Sequence, residues 1–154
     1  LNILKISNDT MASFLSTSND EPSQSGTMKA LTHTSRGLPL SVLLLSYNLP
    51  IPRIASPTDV LIKISHASLN PGASILTNLI PMTFRTKPSI PETDFSGTVI
   101  ATGKAVSASR ELIPGAKVCG SVPLAGMILY GRGVLAEYVV VPAENVVLKP
   151  EGMG

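Results

Sequence analysis

The chain has 154 residues, enough for one domain with a substantial core and too few for two ordinary catalytic domains with a linker. Hydrophobic residues make up 44% of it and the mean hydropathy is +0.31, which excludes global disorder. Charged residues are only 14%, the net charge is +2, and Lys and Arg are scattered singly, so a basic nucleic-acid surface is excluded too. Cys119 is the one cysteine, which rules out an intrachain disulfide and a multi-cysteine structural zinc site. His33 and His66 are the two histidines and leave little material for a metal centre.

Residues 1–27 are read as a solvated leader, because Ser16 to Thr27 carries no apolar residue. The opening Leu1 to Ile6 is too short and interrupted for a signal peptide, and Asn8-Asp9-Thr10 is a sequon without a secretory context. The chain starts on Leu and is read as a fragment or a processed form, with a cytoplasmic location expected. The longest apolar cluster, Val42 to Leu45, falls far short of the ~20 residues a membrane helix needs, so no membrane partner is expected.

From Met28 onward the pattern is β. Met28–Thr34 and Pro39–Tyr47 read as two short strands about the turn Ser35-Arg36-Gly37. After Pro50, Pro52 and Pro57, Asp59–Ser68 is the clearest strand, with Val60, Ile62, Ile64, His66 and Ser68 expected on one face. Pro71–Ile80 reads as a short helix, with Pro71 in its first turn and Pro81 ending it. Phe95–Thr102, Ala116–Val122, Val134–Val141 and Asn145–Leu148 complete the strands, separated by Gly and Pro. Thirteen prolines and twelve glycines leave few uninterrupted windows for a long helix. The expected fold class is mainly β: a partly open β-barrel with one or two short helices.

Six stretches carry a family pattern. They are Met28-Lys29-Ala30-Leu31; Val60 to Pro71; Ile90 to Val99, containing Pro91-Glu92-Thr93-Asp94-Phe95-Ser96-Gly97; Pro114-Gly115-Ala116-Lys117-Val118; Leu135 to Pro142; and Leu148 to Met153. In this order and at these intervals they resemble the N-terminal GroES-like domain of medium-chain dehydrogenases/reductases, over residues 28–154. Zinc alcohol dehydrogenases of that family carry Cys where this chain has Asn70, and His-Glu where it has Thr93-Asp94. They also carry a four-cysteine lobe where it has only Gly120 to Gly133. An amide and a hydroxyl do not replace thiolate and imidazole as zinc ligands. The resemblance is therefore to the zinc-independent, quinone-oxidoreductase-like branch. It implies NADPH as hydride donor for the complete enzyme, no zinc, and a small-molecule quinone or enone/enoyl substrate.

In that branch the residue matching Asn70 lies beside the nicotinamide, where an amide supplies both a donor and an acceptor. The resemblance thus implies a cofactor role for Asn70, Pro71 and Gly72 and a substrate-pocket role for Thr93 and Asp94; it implies no catalytic residue. Asn70 also reads as a turn residue before Pro71, and Asp94 as a structural carboxylate at a strand start. His66 is read as a packed or rim histidine, and Cys119 as a small buried hydrophobe. The chain departs from the family at Gly72-Ala73, where an apolar residue and Asp are usual, and at Glu92, where the family has Gly after Pro. Gly131-Arg132-Gly133 is half of a dinucleotide fingerprint and precedes a strand, not a helix. The Rossmann domain is absent from this chain, so the domain is read as incomplete and neither binding cofactor nor turning over substrate by itself. The alternative is a stand-alone, non-catalytic GroES-like binding or interaction module, with a protein partner or self-association through exposed apolar surface.

Overall fold

The computed structural model describes residues 26–150 and Gly152; the expected leader, apart from Gly26 and Thr27, lies outside the described residues. Seven strands and three short α-helices follow in the order β1 (Thr27–Thr32), α1 (Pro39–Val42), β2 (Leu44–Pro50), β3 (Asp59–Ala67), α2 (Pro71–Leu79), β4 (Asp94–Thr102), β5 (Lys117–Ser121), α3 (Leu124–Tyr130), β6 (Tyr138–Pro142) and β7 (Val146–Leu148). Five strands form one antiparallel sheet in the order β6-β3-β4-β5-β7, and β1 pairs with β2 in a second. The two sheets are joined where Ala30 bridges Ala136 and the Leu31 N–H donates to the Leu135 carbonyl at 2.8 Å. The result is the mainly β, partly open arrangement that the proline- and glycine-punctuated pattern implies.

The core is built largely from β-branched side chains, which pack well on a pleated surface. Val60, Ile62, Ile64, Val99, Val118 and Val141 are all buried in it, each contributing about 1.5–3 kcal/mol relative to exposure. A smaller cluster of Met28, Ala30 and Ala136 seals the contact with β1.

Four local expectations are corrected. Pro39–Tyr47 is not one strand: Pro39 takes the first helical position of α1, where its missing N–H costs nothing, and β2 starts only at Leu44. Val134–Val141 pairs continuously only from Tyr138, since 134–137 cross from α3 to the sheet with a single bridge at Ala136. The helix α3 adds a third to the one or two expected; Pro123 before it and left-handed Gly131 (φ 64°) after it are the start and stop signals that mark it. His66 does not share the buried face of β3. Opposite Ile64 stands Gly97 and opposite His66 stands Ser96, so Ser65 is an extra residue, a β-bulge that turns His66 outward.

Candidate functional site

Asn70 follows β3 and occupies the N-cap position of α2 in extended backbone (φ −110°, ψ 136°). An N-cap Asn ordinarily accepts a hydrogen bond from an N–H of the first turn through its side-chain oxygen. Here it makes no such bond. Its Nδ2 instead donates to Asp94 Oδ2 at 2.8 Å, and its backbone N–H donates to Glu92 Oε2 at 3.0 Å. Because a carboxylate only accepts, the NH₂ end of the amide must face Asp94, which leaves Oδ1 as the other end.

The 90–94 segment that supplies both carboxylates is held on several sides. Ile90 N–H donates to the Gly131 carbonyl at 2.9 Å, Val134 N–H to Pro91 and Glu92 carbonyls at 3.1 Å, and Val122 N–H to the Thr93 carbonyl at 2.9 Å. Ser68 N–H reaches the Asp94 carbonyl at 2.9 Å, which ties the end of β3 to the start of β4. Gly133 lies so close to this segment that a Cβ would collide with the Ile90 and Pro91 carbonyl oxygens. Gly131 and Gly133 therefore serve helix termination and close packing, not a phosphate cradle.

Glu92 is the residue that sequence reading left without a role. It is only 4% exposed and its φ of 70° lies in the left-handed region, where a side chain is strained and glycine is not. Burial pushes its carboxyl above the usual range and the charge of Asp94 adds to this, while the Asn70 N–H works in the opposite direction. The signal was present as the non-glycine residue between Pro91 and Thr93, but its left-handed backbone only emerges on folding.

The structure thus brings Asn70 and Asp94 together and adds Glu92. Thr93 lies half-buried between the two acids, engaged through its main-chain carbonyl. Pro71 and Gly72 form the exposed first turn of α2, and a Cβ at Gly72 would meet nothing within 4 Å. His66 is exposed, with Nδ1 3.4 Å from Ser96 Oγ. Cys119 stands opposite Ser96 on the same outward row and is half-buried; Val118 beside it, pointing the other way, is the residue that enters the core. The expectation of a buried Cys119 is corrected accordingly.

Among the described residues no three His, Cys, Asp or Glu side chains gather as a metal-ligand set. The donors at the site itself are an amide already turned to Asp94, a hydroxyl and two carboxylates, with neither thiolate nor imidazole among them. A nicotinamide nucleotide fits at one end only: Asn70 Oδ1 can accept from a ribose hydroxyl or a carboxamide N–H, but no strand, glycine turn and helix form a pyrophosphate site among the described residues. No helix among them is long and apolar enough to cross a membrane.

Residues 56–151 match the alcohol dehydrogenase GroES-like domain family, and the chain belongs to that family, within the medium-chain dehydrogenases/reductases. It is similar to a trans-enoyl reductase of Penicillium oxalicum, 31% identical over 137 residues, covering 80% of this chain and 36% of that protein. A zinc-type alcohol dehydrogenase-like protein of Schizosaccharomyces pombe is 33% identical, with 88% of this chain and 40% of that protein covered. In three dimensions the chain is similar to the quinone oxidoreductase of Coxiella burnetii, at a TM-score of 0.68 and 30% identity, over 82% of this chain and 38% of that one. It therefore spans well under half the length of these relatives.

Proposed function

We propose that residues 28–154 are the substrate-side domain of an NADPH-dependent, zinc-independent oxidoreductase of the quinone or enone/enoyl type, cytoplasmic in location and inactive without a nucleotide-binding domain. The observation that carries this reading is the state of Asn70, which forgoes capping α2 and is held by Asp94 with Oδ1 left to accept. The trans-enoyl and quinone reductases among the relatives support the reaction class. NADPH, when bound, supplies the hydride. Asn70 accepts a hydrogen bond from its ribose hydroxyl or carboxamide, Asp94 orients the amide, and Thr93 with Asp94 lines the substrate side. Pro71 and Gly72 form the turn that lets the cofactor approach.

The test joins this chain to the nucleotide-binding portion of the Penicillium oxalicum relative and follows NADPH oxidation with an enoyl thioester or a quinone. Turnover is expected from the joined protein, with no micromolar NADPH binding by calorimetry to the 154-residue chain alone. No turnover with either acceptor class, or tight binding to the chain alone, sinks the reading.

A second reading, a stand-alone interaction module, is favoured by one observation. Leu38, Leu40, Leu44 and Tyr47 on α1 and β2 are 64%, 102%, 71% and 59% exposed, a concentration of apolar surface that marks interfaces. Light scattering on the chain alone separates the readings: self-association removed by Leu40→Ser favours the module, and a monomer counts against it.

A further inference from the structure

We propose that Glu92 is a positioning residue for Asn70: its carboxylate holds the Asn70 backbone while Asp94 holds the side-chain amide, so that Asn70 presents its carbonyl oxygen to a donor group of the ligand. This deepens the oxidoreductase reading and rests on it for the identity of the ligand.

Three observations carry it. In a helix capping box, an acidic side chain at the third helical position reaches back to the N–H of the N-cap residue. In α2 that position is Ala73, which has no such group. Glu92, 22 residues further along the chain, takes its place through Oε2 at 3.0 Å, so the start of α2 is pinned to the 90–94 segment. Second, Glu92 is held in left-handed backbone at φ 70° with its side chain buried. Both features disfavour glutamate at this point unless its carboxylate makes an interaction there, and the bond to Asn70 is that interaction. Third, Asn70 makes no side-chain cap. With its N–H taken by Glu92 and its Nδ2 by Asp94, both its main chain and its amide are fixed from the same loop. A clamp of this kind sets which end of the amide is free. Among the described residues nothing bonds to Oδ1, an acceptor, so the ligand group it takes is a hydroxyl or an N–H, not a carbonyl.

The test is a pH titration of the isotope-labelled 154-residue chain by NMR, without nucleotide. The Asn70 backbone amide is expected to shift with the midpoint of the Glu92 carboxyl, which lies above the ordinary carboxylate range. Glu92→Gln removes that dependence. Glu92→Gly relieves the left-handed backbone, keeps the folded spectrum and speeds hydrogen exchange at the Asn70 amide about tenfold or more. An Asn70 amide that ignores Glu92 titration, or exchanges in Glu92→Gly as in the unmodified chain, overturns the proposal. Should Glu92→Gln fail to fold, the unmodified chain and Glu92→Gly still decide it. In the joined protein, Glu92→Gly is expected to raise the KM for NADPH about tenfold with kcat within about twofold; a fall in kcat at unchanged KM counts against positioning. Failure of the unmodified joined protein to oxidise NADPH overturns the oxidoreductase reading alone, since the titrations are independent of it.

Discussion

Two polar clusters stand at opposite ends of the segment from Arg85 to Asp94, each with a buried titrating group, and they differ in sign. At one end His33, only 1% exposed, exchanges two backbone hydrogen bonds of 2.9 Å with Ser89, and Arg85 donates from Nη2 to Ser89 Oγ at 3.0 Å and from Nε to the Ile128 carbonyl at 3.0 Å. At the other end Glu92 and Asp94 converge on Asn70. Burial acts on both in the same way, against charge, and so shifts the two titrating groups in opposite directions: His33 falls below the ordinary imidazole value, helped by the charge of Arg85, and Glu92 rises. His33 Nδ1 lies 2.9 Å from the Ser35 carbonyl and must be the protonated nitrogen there, while Nε2 makes no hydrogen bond among the described residues. The cationic cluster bonds mainly to backbone carbonyls and ties the end of β1 to α3, with Arg85 Nη1, like His33 Nε2, making no hydrogen bond among the described residues. The anionic cluster is spent on one side chain, Asn70. The first joins backbone segments, and the second fixes the main chain and the amide of one residue.

That contrast can be broken by experiment. Arg85→Ala should have the largest effect, a loss of about 2–3 kcal/mol in denaturant unfolding, because two hydrogen bonds from a buried guanidinium disappear together. Next come two pH dependences of opposite sign. His33, with its folded pKa lowered, contributes stability present above the ordinary imidazole value and lost as pH falls through the folded one; His33→Gln should flatten the acid arm of a melting-temperature profile. Glu92, with its folded pKa raised, contributes stability present below the ordinary glutamate value and lost as pH rises through the folded one. The advantage of Glu92→Gln over the unmodified chain should therefore grow from acid toward neutral pH, and a constant difference across that range would count against the burial argument. Asn70→Ala should cost only about 1 kcal/mol, the net worth of one hydrogen bond at a half-buried position. Gly72→Ala, with open space around its Cβ in the first turn of α2, should stabilise by about 0.5–1 kcal/mol. Destabilisation there would mean that the turn is tighter than its surroundings imply.

Much of this was legible from residue order. The alternation in Asp59–Ser68 and Phe95–Thr102 marked the two strands at the heart of the sheet, and Pro71 with Pro81 bracketed α2. Asn70 and Asp94 were each legible as candidate residues through the family pattern, but the bond between them was not. His66 was misplaced because a bulge changes the face of every residue beyond it, and a single extra residue such as Ser65 leaves no mark in local periodicity. Glu92 was visible only as a departure.

Sequence by itself determined the family, the mainly β class and the residue types available for chemistry, since these follow from periodicity, breakers and motif order along one chain. Tertiary structure decided what those residues do to one another. The Asn70–Glu92 and Asn70–Asp94 bonds join positions 22 and 24 residues apart, and only the pairing of β3 with β4 brings them within hydrogen-bond distance. The orientation of an amide and the protonation of a buried carboxyl depend on neighbours in space, and no pattern along the chain records them.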